Sequence, residues 1–552
     1  MRLAMAQINC TVGDLQGNIE KIKNFVDQAK KRKVDCIIFP ELTVTGYPPQ
    51  DLLLEKDFVV ANKEILERTI ANFNEISGVI GFVDYFNDDL FNAAAVFVEN
   101  RIIKIVHKTL LPTYDVFDED RYFKSGKEND VQPVKIEING KNFSLGLEIC
   151  EDLWDDLYKI KVTKLLAERG ADIIMNISDS PFYAGKGLER AKLLKKNALE
   201  YRTPIFYVNL VGGQDELVFD GQSMGFDESG HLIALGKQFE EDIILVEIDK
   251  DLKKPMVEPP QYDREAEMFK ALVLGIRDYF RKSGFKKAVI GMSGGIDSSL
   301  TACIATEALG NENVIGISMP SKFSSDHSKS DAQKLAENLN ILLLQFGIQE
   351  IVDTYRKTLS GPAQQIRQHF KINPRDDDPV ADENLQPRAR GNCLMDIANR
   401  LKSLDILVIN TGNKTELALG YCTLYGDMVG GIGALGDVSK LEVYKIAKFI
   451  NHKAKKEIIP HEVFDKKPSP ELKENQFDPF DFSIISPLVD EIIENRRGVI
   501  ELINLGYPRE IVEDTYRRIR NSEYKRRQAV PCIKITRKAF GIGRKMPIIN
   551  KY

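Results

Sequence analysis

Two sets of residues in this 552-residue chain have the side chains and spacing to do chemistry. The first set stands at the ends of apolar runs. Glu41 closes Cys36-Ile37-Ile38-Phe39-Pro40-Glu41, Lys108 follows the run from Arg101 to His107, and Cys150 follows the run from Phe143 to Ile149. Short apolar runs of this kind read as buried strands, and strand ends beside loops are where an α/β protein keeps its reactive groups. A thiolate attacks a carbonyl carbon, a carboxylate takes and returns the proton, and an ammonium stabilises the developing oxyanion. The second set is Gly291-Met292-Ser293-Gly294-Gly295-Ile296-Asp297-Ser298-Ser299, between the strand-like Ala288-Val289-Ile290 and a helical run from Leu300. Strand, small-residue turn and helix together offer backbone N–H groups and a helix N-terminus to a phosphate. Asp297 would repel that phosphate unless a divalent cation lay between them, which implies Mg²⁺. The loop has no lysine, so it is not the GxxxxGK[ST] phosphate loop.

The elements that must position these groups alternate along the chain. In the first 250 residues, strand runs at 3–8, 36–41, 79–83, 92–97, 101–107, 143–149, 172–176 and 205–209 alternate with helical stretches around Ile19 to Ala29, Leu157 to Arg169 and Leu188 to Tyr201. The polar, proline-rich stretch from Asp249 to Pro260 reads as a domain boundary. An amphipathic helix from Glu265 to Arg281 then leads into the phosphate loop, and the βαβ rhythm continues. Strands are expected at 314–319, 341–346 and 405–410, with helices at 325–338 and 348–359. In a parallel sheet the loops after separate strands meet along one edge, so Glu416, in Thr411-Gly412-Asn413-Lys414-Thr415-Glu416, can approach Asp297 and share the cation. Segment 371–391, with Arg375 and three aspartates at 376–378, has the composition of a loop.

A chain of this length exceeds one core, so two or more domains are expected. Hydrophobic content of 43% and charged content of 29% are those of a globular protein. A net charge of −6 disfavours a nucleic-acid partner held by bulk electrostatics. No apolar run reaches bilayer length, and the N-terminus does not read as a signal peptide. Seven scattered cysteines without a Cys-x-x-Cys pair suit a reducing cytoplasm.

Phe39-Pro40-Glu41-Leu42, His107-Lys108-Thr109-Leu110-Leu111-Pro112 and Ile149-Cys150-Glu151-Asp152-Leu153-Trp154 resemble, in order and separation, the three signature segments of the nitrilase superfamily. That resemblance implies an α-β-β-α sandwich over residues 1–255. It also implies amide hydrolysis with Glu41 as general base, Lys108 as oxyanion stabiliser, Cys150 as nucleophile and Glu119 as a second active-site carboxylate. The half is most similar to the glutaminase domain of the glutamine-dependent NAD synthetases. On that likeness Tyr47, Tyr114, Phe117, Glu151, Ser180 and Lys186 line a glutamine pocket, with lysine at 186 where some relatives carry arginine.

The run Ser293-Gly294-Gly295-Ile296-Asp297-Ser298 resembles the SGGxDS loop of the PP-loop ATP pyrophosphatases, which implies a doubly wound parallel sheet over 262–552. On the resemblance, ATP contacts Gly291, Met292, Ser293, Gly294, Gly295, Ile296, Asp297, Ser298, Thr411 and Lys440. Glu383-Asn384-Leu385-Gln386-Pro387-Arg388-Ala389-Arg390 is similar to the ENxQxRxR segment of NAD synthetases. With Glu416 and with Lys525 in Ser522-Glu523-Tyr524-Lys525-Arg526-Arg527, it implies deamido-NAD contacts from Asn384, Arg388, Arg390, Glu416 and Lys525. Lys467-Pro468-Ser469-Pro470-Glu471-Leu472 resembles a flexible covering loop. This chain departs from the family in Gln476-Phe477-Asp478-Pro479 after that loop and in Pro387.

The implied reaction is glutamine hydrolysis coupled to amidation of deamido-NAD, with ATP going to AMP and pyrophosphate. Asp297 and Glu416 would hold Mg²⁺. The protein would be cytoplasmic and a homo-oligomer, with no nucleic-acid or membrane partner. A PP-loop amidotransferase with another acceptor, resembling GMP synthetase, and a PP-loop tRNA-modifying enzyme are the alternatives.

Overall fold

The computed structural model describes residues 1–138, 140–248, 256–259, 262–373, 380–474 and 476–550. Most of the expected boundary segment, and Arg375 with the aspartates at 376–378, lie outside them. The chain divides into two compact units, Met1–Asp263 and Arg264–Tyr552.

In the first unit, two six-stranded sheets pack face to face. One has the strand order Asp242–Glu247, Arg2–Gln7, Cys36–Ile38, Ser77–Phe86, Asp89–Val98, Arg101–His107. The other runs Leu232–Leu235, Met224–Phe226, Ile205–Asn209, Ile173–Ser178, Lys141–Ile149, Val134–Ile138. The apolar cluster between them takes Leu3, Met5, Ile38 and Val79 from one sheet and Leu145, Leu147, Met175 and Val208 from the other. Alternate residues on the same strands point outward to helices, as the two-residue period of a strand requires. Ala4 and Ile37 thus meet Ile19, Ile22 and Val26 of helix Leu15–Lys31, and Ile174 and Tyr207 meet Leu194 and Ala198 of helix Lys186–Tyr201. Helix, sheet, sheet, helix is the predicted sandwich.

The second unit has one five-stranded sheet, and all its strand pairs are parallel. The order is Leu342–Gln345, Val314–Ser318, Lys287–Gly291, Ile406–Asn410, Ile432–Gly433. Chain direction across the sheet therefore reverses beside Lys287–Gly291, the position at which open α/β sheets form a crevice. Ala389, Leu394 and Ala398 of helix Leu385–Arg400 pack on one face of the sheet. Helices Arg264–Ser283, Ile296–Leu309 and Lys440–Ala454 pack against one another on the other face.

Three expectations are corrected. Only Val162–Glu168 of the stretch from Leu157 to Arg169 is α-helical. The helix expected to end at Leu359 runs through Pro362 to Phe370. In segment 371–391, read as loop, Val380–Glu383 form a helical turn and 385–391 open the helix Leu385–Arg400; Pro387 lies in its first turn, where the missing N–H has no helical partner to lose.

Candidate active sites

In the first unit the strand ends bring the predicted groups together. Lys108 Nζ donates to Glu41 Oε1 at 2.7 Å and to the two Glu119 oxygens at 2.9 and 2.8 Å. Asn92 donates to Glu41 Oε1 at 2.6 Å, and the backbone N–H of Asp179 donates to Glu41 Oε2 at 2.9 Å. Tyr47 gives its hydroxyl proton to Glu119 at 3.1 Å, so this predicted pocket residue belongs to the carboxylate network. Glu41 and Lys108 are fully buried.

Burial alone would strip the charge from Lys108, but Glu119 and Glu41 raise its pKa well above the ordinary lysine value. Burial pushes Glu119 up to about 7 against the pull of Lys108. Burial, then the charge of Glu41, lifts the Cys150 thiol well above its usual range, with Lys108 opposing. The resting thiol is therefore protonated and needs a base. Cys150 also has φ of +48°, a left-handed conformation that costs a non-glycine residue energy and is held here by its surroundings.

Asp152 explains much of that holding. Its carboxylate accepts from the N–H groups of Ile149, Thr109 and Leu110 at 3.0, 3.0 and 2.8 Å. One side chain thus ties the turn that carries Cys150 to the segment that follows Lys108. Asp152, Asn92 and Asp179 were not singled out from sequence. Asp152 had a signal, a short acceptor two residues past the cysteine, whereas Asn92 looked like any strand residue.

Of the remaining predicted pocket residues, Glu151 and Ser180 are buried, Phe117 and Lys186 half-buried and Tyr114 exposed. Tyr114 and Tyr158 both donate to Glu151, at 3.0 Å, and Phe117 stands edge-on to Tyr114. The Lys186 ammonium lies 3.6 Å from the centre of the Trp154 ring. The backbone N–H of Ser180 donates to Asn209. Trp154 and Tyr158 are additional to the predicted set.

In the second unit the phosphate loop follows strand Lys287–Gly291 and opens helix Ile296–Leu309. Gly294 has φ of +75°, and a Cβ there would stand 2.2 Å from the carbonyl oxygen of Ser328, so only glycine fits. The loop borders a cavity of about 820 Å³. Gly291, Met292, Ser293, Gly295, Ile296, Asp297, Ser298, Thr411, Glu416, Lys440, Asn384, Arg390 and Lys525 line it. Gly294 and Arg388 do not: Gly294 faces Ser328, and Arg388 Nε donates to the Leu424 carbonyl at 3.2 Å. Arg390 and Lys525 also donate to backbone carbonyls, those of Met319 and of Gly420 and Cys422. Lys467, Pro468 and Ser469 of the segment likened to a covering loop, and Gln476 and Asp478 after it, border the same cavity. Gln476 knits that loop, accepting from the Leu472 N–H at 3.0 Å and donating to Glu383 at 3.0 Å.

Lys440 does not simply await phosphate. Its ammonium bonds Asp297 Oδ2 and lies 3.5 Å from Glu416 Oε1, while Asn413 donates to Asp297 Oδ1 at 2.9 Å. Burial pushes Glu416 up to about 8, with Lys440 opposing and Asp297 adding to the rise. Glu416 is at the same time the third residue of a capping box with Asn413. Two carboxylates converging on one cation suit Mg²⁺ chemically. Among the described residues no group of three or more His, Cys, Asp or Glu is placed to hold a metal. An ion held by Asp297 and Glu416 would take its other ligands from phosphate and water.

Fold and site define a class: a carbon–nitrogen hydrolase unit joined in one chain to a nucleotide-binding parallel-sheet unit. The Carbon-nitrogen hydrolase family matches residues 2–255 and the NAD synthase family matches residues 268–529. The glutamine-dependent NAD(+) synthetase of Thermotoga maritima is 40% identical over 100% of this chain and 99% of its own length. That of Aquifex aeolicus is 40% identical over the full length of both. Among solved structures, the glutamine-dependent NAD+ synthetase of Acinetobacter baumannii in complex with ADP is 35% identical, with a TM-score of 0.77 over 100% of this chain and 98% of that one. The chain belongs to the glutamine-dependent NAD(+) synthetase family.

Proposed function

We propose that this chain makes NAD from deamido-NAD, ATP and glutamine, with residues 1–255 supplying ammonia and residues 262–552 consuming it. The single observation that carries the reading is one chain holding both a closed thiol–ammonium–carboxylate site and an open nucleotide cavity. Glu41 takes the Cys150 proton, and the thiolate attacks the side-chain carbonyl carbon of glutamine. Lys108 stabilises the oxyanion. Glu41 returns the proton to the leaving nitrogen, ammonia departs, and a glutamyl thioester remains. Water, activated by Glu41, then releases glutamate and restores the thiol. Glu119 holds Lys108 in place. Tyr114 and Tyr158 fix Glu151 for the substrate ammonium, while Lys186, with Ser180, serves its carboxylate.

In the second unit the nicotinate carboxylate of deamido-NAD attacks the α-phosphorus of ATP, pyrophosphate leaves, and ammonia displaces AMP from the acyl adenylate. Gly291, Met292, Ser293, Gly295, Ile296, Asp297, Ser298 and Thr411 cradle the triphosphate, with Gly294 shaping the turn, and Asn384, Arg390 and Lys525 contact the dinucleotide. Asp297 and Glu416 would hold Mg²⁺, which when bound offsets charge on the departing pyrophosphate. Lys440, between those carboxylates, is positioned to turn to a phosphate oxygen.

The test is an assay with deamido-NAD, ATP and Mg²⁺, with glutamine or ammonium as nitrogen source. NAD and AMP should appear in equal amounts with either source; AMP without NAD overturns the reading. We also assign the chain to the cytoplasm, whose reducing conditions suit its scattered thiols, and to a homo-oligomer. Leu359, Ile366 and Phe370 form an exposed apolar stripe on helix Gln349–Phe370, each more than half exposed, which supports assembly. A monomer mass by light scattering would remove that assignment.

A further inference from the structure

The contact between Glu41 and the Asp179 N–H does not stand alone. Asp179 and Ser180 follow the strand Ile173–Ser178, and Asn209 ends the neighbouring parallel strand, with Ser178 and Asn209 in register. Asn209 Oδ1 accepts from the Ser180 N–H at 3.0 Å and from the Tyr207 hydroxyl at 3.2 Å. Its amide nitrogen donates to Asp220 Oδ1 at 3.3 Å and to the Gly221 carbonyl at 3.1 Å. Asp220 is gripped by Arg190 through two bonds, at 3.0 and 3.3 Å, and the Arg190 guanidinium stacks 5.0 Å from the Tyr207 ring centre. Asn209, Asp220, Arg190, Tyr207 and Asp179 are all fully buried.

The chemistry of an amide decides what Asn209 can do. One end accepts, the other donates, and both are used. The acceptor end holds the Ser180 N–H, one peptide beyond the Asp179 N–H that stands 2.9 Å from Glu41 Oε2, and the N–H of Leu210, next to Asn209, holds the Ser178 carbonyl of that peptide at 2.9 Å. Lys108 and Asn92 hold only the other oxygen, Oε1. The aim of Oε2 is thus set from the Asn209 side of the sheet.

We propose that Asn209, anchored by Asp220 and Arg190, is a positioning residue for the glutamine half-reaction, acting on Glu41 through the Ser180 and Asp179 backbone. The proposal rests on the assignment of Cys150 and Glu41 to glutamine hydrolysis. A misaligned base slows proton transfer more than it weakens substrate binding.

The experiment uses the full-length enzyme with Asn209→Asp, which keeps an acceptor but loses both donors and faces Asp220 with like charge. Glutamine-driven NAD formation should show kcat lowered by at least about tenfold with KM within about threefold, as expected for lost alignment. Ammonium-driven synthesis should stay at the wild-type rate, which also reports that the chain is folded. Asn209→Ser, too short to reach the Ser180 N–H, carries the same expectation if the aspartate variant does not fold. Asn209→Gln, which keeps both amide ends, should recover more kcat than the serine variant. Unchanged kcat, or a rise in KM alone, overturns the proposal and makes Asn209 a pocket-shaping residue. Cys150→Ala is run alongside: glutamine-driven synthesis surviving that change sinks the underlying assignment, whatever the Asn209 variants do.

Discussion

The two units solve the same electrostatic problem in different settings. In each, one lysine ammonium lies between two carboxylates: Lys108 between Glu41 and Glu119, and Lys440 between Asp297 and Glu416. Lys108 is sealed, and Asn92, Tyr47 and the Asp179 N–H take up further lone pairs of its carboxylates. Lys440 instead lines a cavity of about 820 Å³, with a phosphate-type loop on the same wall. A sealed triad keeps its charges in fixed geometry near a thiol, whereas an open one leaves its lysine and carboxylates within reach of what enters the cavity. Enclosure of the carboxylates, together with the thiol that only the first unit places beside them, distinguishes the two sites.

Breaking each site in turn tests that contrast. Cys150→Ala should cut glutamine-driven synthesis by roughly 10⁴-fold or more while ammonium-driven synthesis persists, as expected when a covalent nucleophile is removed. Loss of both, in a chain that unfolds normally on heating, would contradict the division of labour. Asp297→Ala should lower synthesis from either nitrogen source by about 10²–10³-fold, the scale for losing a charge-stabilising group. Substantial turnover would remove Asp297 from the cation seat.

The lysines themselves sharpen the comparison. Lys108→Met and Lys440→Met each leave two facing carboxylates without their cation and should lower the unfolding midpoint by several degrees, a shift of about 3–5 kcal/mol. Millimolar Mg²⁺ should restore the midpoint of the Lys440 variant and leave the Lys108 variant unchanged. Restoration of both, or of neither, ends the distinction between exchangeable and sealed cations.

The smallest effect concerns Glu148, fully buried beneath the Cys150 turn, where Asn176 reaches both its Oε2 and the Cys150 carbonyl. Burial raises Glu148 to about 8 from the ordinary 4.5. A carboxyl raised on folding favours the fold below its unfolded value, and that contribution is lost as pH rises toward its folded value. Glu148→Gln should therefore unfold a few degrees higher than wild type near pH 8, a difference on the order of 1 kcal/mol or more. The gap should close as pH falls toward 4.5. A gap that does not vary with pH would mean Glu148 is ionised in the fold.

The reactive groups were legible because their strands are. Apolar runs ending on Glu41, Lys108 and Cys150 needed only the strand period and the signature spacing. What surrounds them was not legible. Asn92 reads as one polar residue in a strand, and its amide matters only because the sheets face each other. Residues 385–391, which open the helix Leu385–Arg400, read as loop because they carry a proline and two arginines, and only burial of Ala389, Leu394 and Ala398 against the parallel sheet reveals the helix's amphipathic face. Residues 157–161 read as helix, but Leu157 closes the short 3₁₀ turn Asp155–Leu157 and Tyr158 is turned to Glu151.

The sequence by itself determined the two-unit plan, the strand ends, the thiol–ammonium–carboxylate trio and the small-residue phosphate loop, because these depend on local periodicity and, for the trio, on three signature segments each legible in its own stretch of chain. Tertiary structure alone decided that Lys440 stands between Asp297 and Glu416, that Asp152 ties the Cys150 turn to the segment after Lys108, and that Asn209 reaches Glu41 through a peptide segment. Those partners lie tens to more than a hundred residues apart, and their hydrogen bonds exist only once sheet packing has removed water and set the distance.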